Sequence, residues 1–449
     1  LWQLAVVSGQ SPLAYDLILW VNTAGGIQGT ATITGPTEVD WPEVLLRFYP
    51  AALGEERLFP QAISVDEEAL SWDSVDPSVI VVPLDTQVGQ ASSLSVGGSL
   101  TVEFQGEVPP FEEAGGYGIF ARSEDAIVLA QGYPLLAPWE GGWNVEPVLP
   151  WGDALVAEVA DYTAEIFAPV GWTPVTSGEE EALGPGRFRV VGEDLRELGI
   201  VLVQGYECEA AFLGDIELRS FFSPKHRAAG EAALGIALQA LGLYQELFGP
   251  YPFPELDLVE VPLRGAAGVE YPGLILAGQD YYARFPEDPL FFPMIFAHEV
   301  AHQWWYAQVG NDQVAEPWLD EALVTYTSGL YFEAQGRFQE ILAYWEDSYA
   351  LGRERNPEAL VTSPLWEFPE GRGYGGIVYS GGALFLHEVR TTMGDDAFFR
   401  ALRRYLHEFK WQIAHGKDLL HILREESPVP IDHLIARWLG HGEHVMSQK

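Results

Sequence analysis

"AHEVAHQWWYAQVGN" occupies residues 297–311. His298 and His302 stand four residues apart, and Glu299 follows the first of them. A helix turns once in about 3.6 residues, so the two histidines share a face and can aim at one ion. Glu299 lies beside that face, placed to reach a water on the ion. The residues flanking the motif in "MIFAHEVAHQWW" (294–305) are apolar, which predicts a helix buried in a core. Low dielectric there strengthens the attraction between ion and ligand. Two imidazoles leave a zinc ion short, because a catalytic site takes three protein ligands and keeps one position open.

"EPWLDEALVTY" (316–326) offers the third ligand. Glu321 follows His302 after 18 intervening residues, enough for the first helix to end, turn and return antiparallel. Asp320 competes for the same role, and Glu316 is a more distant alternative.

The remainder of the chain bounds what such a site could serve. At 449 residues it is too long for one small core, and two domains, with three as the alternative, are expected. Hydrophobic residues make up 48% and charged residues 20%, the balance of a globular protein. The richest apolar run, "AAGEAALGIALQALGLYQELFG" (228–249), is broken by Glu231, Gln239 and Gln245, so it predicts a buried helix and no membrane span. With 65 acidic and 24 basic side chains the net charge is −41, which repels phosphate backbones and argues against nucleic acid as a partner. The single cysteine, Cys208, allows no intrachain disulfide, so no cysteine framework marks a compartment. The acidic balance and a first residue other than Met lean towards an extracytoplasmic location, with a cytoplasmic one as the alternative.

The first two hundred residues read as β. "YDLILWVN" (15–22), "GTATITG" (29–35), "VIVVPL" (79–84), "SLTVEFQG" (99–106) and "AIVLAQGY" (126–133) are short and rich in β-branched and aromatic residues, with Gly, Pro, Asp and Ser between them. "SGEEEALGPG" (177–186) predicts an exposed acidic turn. The character changes near residue 212. Ser223-Pro224 opens a helical pattern that runs to Gly249, and a strand is expected through Leu256–Val261. Further helices are expected over 291–309, 318–335, 337–352, 380–393, 395–409, 416–425 and 430–439. The fold class is therefore multi-domain α+β, with a β domain over 1–212 and a mainly α domain over 213–449.

The glutamate of W-L-x-E, 18 residues beyond H-E-x-x-H, resembles the pattern of the zinc aminopeptidases related to aminopeptidase N and leukotriene hydrolase, the gluzincins. "GAAGVEYPGLIL" (265–276) is similar to that family's Gly-x-Met-Glu-Asn loop, with Val269 in place of Met and Tyr271 in place of Asn. "YGGIVYSGGALFLHEV" (374–389) is similar to its downstream tyrosine segment, and "FGPYPFPELDLVEV" to its approach strand. Weaker likeness extends through "VLLRFYP" (44–50) and "QGYPLLAPW" (131–139). The resemblance implies a saddle-like β sandwich followed by a thermolysin-like catalytic domain. It implies one zinc ion on His298, His302 and Glu321, and zinc-bound water as the nucleophile. Glu299 is then the general base and acid, and Tyr379 the oxyanion donor. Tyr374 lines the site, Gln131 contributes to the first side-chain pocket, and Glu270 anchors the α-amine of a peptide with a free N-terminus. The larger relatives carry a long helical C-terminal domain, and here the sequence stops at Lys449, so a short form is expected. The oligomeric state is left open. The rival readings are a thermolysin-type endopeptidase, a lipid epoxide hydrolase and an inactive binding relative. The histidines of "GHGEHVMSQK" (440–449) read as bland, because Gly440 and Gly442 argue against a rigid ligand helix.

Overall fold

A computed structural model describes residues 13–35, 41–54, 57–84 and 99–440. His441 and His444 lie outside them. By packing, the chain divides into two units: Leu1–Pro150, Ala157–Glu231 and Phe253–Ala283 form the first, and Trp151–Val156, Ala232–Pro252 and Arg284–Lys449 the second.

The largest sheet of the first unit has eight strands. Their spatial order is Glu179–Gly184, Arg187–Leu195, Ala160–Phe167, Ala14–Val21, Gly26–Thr34, Ser99–Glu107, Phe59–Val65 and Glu68–Ala69. Successive side chains of a strand point to opposite faces. Tyr15, Leu17, Leu19 and Val21 are accordingly buried, while Asp16, Ile18 and Trp20 are exposed. Leu100, Val102 and Phe104 share the inner face, as their alternation predicts. "SGEEEALGPG" departs from expectation, because Glu179–Gly184 is an edge strand paired with Arg187–Leu195 rather than a turn. Its Glu180 accepts from the Thr176 backbone N–H and from Arg219, which ties an acidic edge down.

A second sheet holds β1 (Glu207–Leu213), β2 (Ile216–Phe222), β3 (Glu255–Val261), β4 (Gly268–Tyr271) and β5 (Leu274–Gly278), in the order β1-β2-β3-β5-β4. The inner pairs β2–β3 and β3–β5 are parallel. Parallel strands are covered on both faces and read as continuous apolar runs. All of "LILAG" in β5 is buried. Val259, Val261, Val269, Leu274 and Leu276 share one core with Val128, Val175 and Val201 of a neighbouring four-stranded sheet. That shared core decides membership. A single boundary at 212/213 would cut β1 and detach the sheet from its own core, so the chain divides at other points.

Within this unit Arg219 collects three carboxylates. It donates to Asp257 (Nε to Oδ1, 2.7 Å), Glu180 (3.0 Å) and Glu255 (3.1 Å). One guanidinium cannot neutralise three acids, of which Asp257 is fully buried and Glu180 and Glu255 are partly buried. Burial pushes Asp257 up to about 7. Burial and the Asp257 charge push Glu255 up to about 8.

In the second unit, α1 (Arg227–Phe248) brings the chain in from the first. After it come α2 (Phe291–Ala301), α3 (Trp318–Ala334), α4 (Phe338–Arg355), α5 (Gly381–Met393), α6 (Asp395–Phe409), α7 (Gly416–Glu426) and α8 (Asp432–Leu439). Trp304, Trp305, Trp318 and Trp345 are fully buried. Every residue of α3 from Trp318 to Phe332 is buried, so this helix forms the core of the bundle. Among the described residues no helix is long and apolar enough to cross a membrane.

The acid cluster gives a pH dependence with a definite sign. A carboxyl whose folded pKa is raised holds its proton more tightly folded than unfolded. Its stabilisation is complete below its unfolded pKa of about 4.3 and is lost as pH climbs through the folded value. The melting temperature is expected to fall between pH 5 and pH 8, and Glu255→Gln to flatten that fall. Parallel wild-type and variant curves would contradict the assignment.

Candidate metal centre

Helix α2 carries His298 and Glu299 and ends with His302 as its cap, and α3 presents Glu321 from its first turn. Nε2 of His298 lies 3.3 Å and Nε2 of His302 3.8 Å from Oε2 of Glu321. One ligand atom from each of the three lies within 4.8 Å of the others. His302 is 1% exposed and Glu321 2%. Burial pushes His298 down to about 3 and holds His302 well below the usual imidazole range. Both rings are thus neutral, the form that binds a metal.

The sequence predicts a helix to residue 309, but α2 stops at Ala301, and the contacts made by His302 and the residues just after it explain the difference. Nδ1 of His302 pairs with the Trp305 carbonyl at 3.1 Å. A carbonyl only accepts, so the proton sits on Nδ1 and Nε2 is left to face Glu321. The Trp305 indole donates to Thr327 on α3, the Trp304 indole donates to the Gly249 carbonyl, and Tyr306 takes a φ of 135°. These contacts turn the chain out of the helix.

The competing third ligands are otherwise engaged. Asp320 accepts from the side-chain amides of Asn311 and Gln313, at 3.0 Å each, and from the backbone N–H of Glu321. Glu316 accepts from the Gly416 backbone N–H and contacts His415, capping α7.

Glu299 is buried, and its Oε2 has no hydrogen-bond partner among the described residues. Burial, then the charge of Asp153, holds its pKa well above the usual carboxylate range. Asp153 itself hydrogen-bonds Glu321, and burial pushes it up to about 6. Sequence reasoning misses this residue. It sits in "WGDALV" (151–156), an irregular stretch with neither motif nor periodicity, and no local signal distinguishes it.

Tyr379 donates from its phenol to Oε1 of Glu321, and its ring stacks on His298 with centroids 5.6 Å apart and planes at 6°. Tyr374 meets Tyr379 edge-on at 5.4 Å. Tyr379 rides on a π-helical turn, Gly375–Ser380, ahead of α5, where the sequence predicts a helix start at 380. Such turns concentrate at functional sites. A Cβ on Gly376 would lie 2.4 Å from the Ser348 carbonyl, so the turn can press against α4 only with glycine there.

His298, Glu299, His302, Glu321, Tyr374 and Tyr379 therefore lie in one unit. Glu270 belongs to the other, on β4 and 6% exposed. Its neighbours Val269 and Tyr271 enter the core of the sheet, which places Glu270 on the opposite face. Pro272-Gly273 closes the β4–β5 hairpin with Gly273 at φ 72°, where glycine is favoured. In the same unit Gln131 is buried at a φ of 46° and donates to Glu197 at 2.6 Å.

Residues 232–438 match the description "Peptidase family M1 domain". That stretch is similar to an M1 peptidase domain. Aminopeptidase M1-B of Oryza sativa subsp. japonica is 26% identical over 242 residues, 51% of this chain and 27% of that protein. Probable aminopeptidase 1 of Sulfurisphaera tokodaii is 26% identical over 302 residues, 63% of this chain and 35% of that protein. The matched stretch is thus only about a quarter to a third of these curated relatives. The crystal structure of an M1 zinc metallopeptidase from Deinococcus radiodurans superposes with a TM-score of 0.69 at 20% identity, over 96% of this chain and 95% of that one. The fold is shared along nearly the whole chain, the front sheets as well as residues 232–438.

Metal content separates ligand from cap. Glu321→Ala is expected to abolish zinc retention after dialysis, as read by mass spectrometry. Glu316→Ala is expected to keep zinc while lowering the melting temperature, since losing a helix cap costs about 0.5–2 kcal/mol. Zinc retained in Glu321→Ala would contradict the ligand set.

Proposed function

We propose that this chain is a zinc-dependent aminopeptidase that hydrolyses the N-terminal bond of peptides. The observation that carries the reading is the convergence of His298, His302 and Glu321 on one buried point, with Glu299 beside it. Two imidazole nitrogens and one carboxylate are the donor set of a catalytic zinc site. The buried Glu299 oxygen without a protein partner marks a place built for a polar occupant. The M1 domain and relatives named aminopeptidases support the same reading.

When bound, zinc supplies Lewis-acid activation of water and of the scissile carbonyl. Glu299 takes the proton of the attacking water and passes it to the leaving amine. The Tyr379 phenol donates to the carbonyl oxygen as negative charge builds there. His298, stacked on the Tyr379 ring, holds that phenol in place. Tyr374 packs behind it and lines the site. Glu270 is assigned by resemblance to the α-ammonium of the substrate, whose charge needs a carboxylate partner. A blocked N-terminus offers no such ammonium.

The test is hydrolysis of aminoacyl-anilides and of matched free and N-acetylated peptides. Chelator should abolish turnover and zinc restore it. Glu299→Gln should lower kcat by about 10²–10⁴-fold with zinc still bound. Glu270→Ala should raise KM on free-amine substrates. Equal cleavage of blocked and free peptides would refute the aminopeptidase reading and favour an endopeptidase.

A further inference from the structure

The eight-stranded sheet of the first unit has an outer face that the peptidase chemistry does not use. One cross-strand row on it is unusual. Along the register, Arg187 pairs with Phe167, Phe167 with Trp20, Trp20 with Gln28, Gln28 with Gln105, and Gln105 with Phe59. Six neighbouring strands thus place a cation, two aromatic rings, two carboxamides and a third ring in line. The rings of Trp20 and Phe167 are parallel, 5.2 Å apart at 9°, and the Arg187 guanidinium lies 5.7 Å from the Phe167 centroid. Arg187 is itself paired with Glu165 at 2.6 Å. This stack fixes the Trp20 indole although 38% of that residue is exposed. From Trp20 to Phe59 is three strand spacings, about 14 Å.

A hollow of about 600 Å³ lies over the row, lined by Trp20, Phe167 and Phe59 together with Gln28, Gln105 and Asn22. That volume is within the range of small-ligand sites. The Gln28 and Gln105 carboxamides are exposed in the lining, and each offers a donor and an acceptor side by side. Among the described residues Glu107 is the only charged one lining the hollow, in a protein whose net charge is −41.

We propose that this row is a binding platform for a neutral oligosaccharide. A pyranose has an apolar C–H face and a rim of vicinal hydroxyls. The apolar face matches a rigid, half-exposed indole, and the hydroxyl rim matches two adjacent carboxamides. The near-absence of charge in the lining, set in an acidic surface, selects against anionic glycans. An extended peptide fits less well. From Arg187 to Gln105 the row crosses strands paired on both sides, so over that span no free backbone edge is available for a peptide strand to join. The site is independent of the zinc centre and does not rest on the peptidase reading.

The experiment is calorimetric titration of the full chain with cellohexaose, chitohexaose and maltohexaose, with an oligogalacturonate and a proline-rich decapeptide as competitors of other chemistry. At least one neutral hexasaccharide should bind. Its affinity should fall by about tenfold or more in Trp20→Ala, through loss of the stacking face, and measurably in the double variant Gln28→Ala/Gln105→Ala. The double variant changes only exposed amides, so it remains decisive even if Trp20→Ala unfolds. Aminoacyl-anilide hydrolysis should be unchanged in the double variant. Absence of binding by all three sugars would overturn the proposal. So would equal binding by wild type and the double variant, or tighter binding of the uronate or of the decapeptide.

Discussion

One carboxylate, Glu321, must face two imidazoles from another helix in the interior of the protein. Burying an ionisable group without partners is costly, so its surroundings are arranged around it. The Tyr379 phenol takes one of its oxygens, Asp153 bonds it, and His298 and His302 crowd the other oxygen. Asp320 beside it is held away by Asn311 and Gln313. Helix α2 ends where it does because His302 must give one nitrogen to the Trp305 carbonyl and turn the other towards Glu321. The two tryptophans after His302 then lock the turn to α3 and to the end of α1. Nearly every irregular feature of this part of the chain can be traced to that convergence.

Legibility in the sequence tracks the range of the interactions involved. The four-residue spacing of His298 and His302 is a property of one helix, and Glu321 lies close enough along the chain to be counted to. Alternation in strands such as Ser99–Glu107 is equally local. The choice of Glu321 over Asp320 depends on two amides that the sequence places nine and seven residues upstream, but whose aim only the fold sets. Asp153 is not legible at all, since it reaches the centre from far upstream with no pattern around it. The π-helical turn under Tyr379 depends on the close approach of Gly376 to Ser348 and Gly352, a contact between segments. The acidic stretch 177–186 reads as a turn because its composition is polar, and only strand pairing and Arg219 make it an edge strand.

In the front unit, a strand period of two assigns each residue to one of two faces, and the two faces answer to different demands. Leu17, Leu19, Val102 and Phe104 fill the core, while Trp20, Gln28 and Gln105 on the outer face are under no packing constraint of that kind. A likeness of fold at 20% identity is consistent with architecture being carried by periodicity and core burial rather than by particular residues. Chemistry is less forgiving, since it needs particular atoms at particular places.

The most direct measurement is zinc K-edge X-ray absorption on the zinc-loaded protein. Two imidazole nitrogens with oxygen donors at about 2.0–2.2 Å, four- or five-coordinate, is the shell expected of His298, His302 and Glu321 with an open position. One imidazole, a sulfur ligand or a closed shell of protein ligands would contradict it.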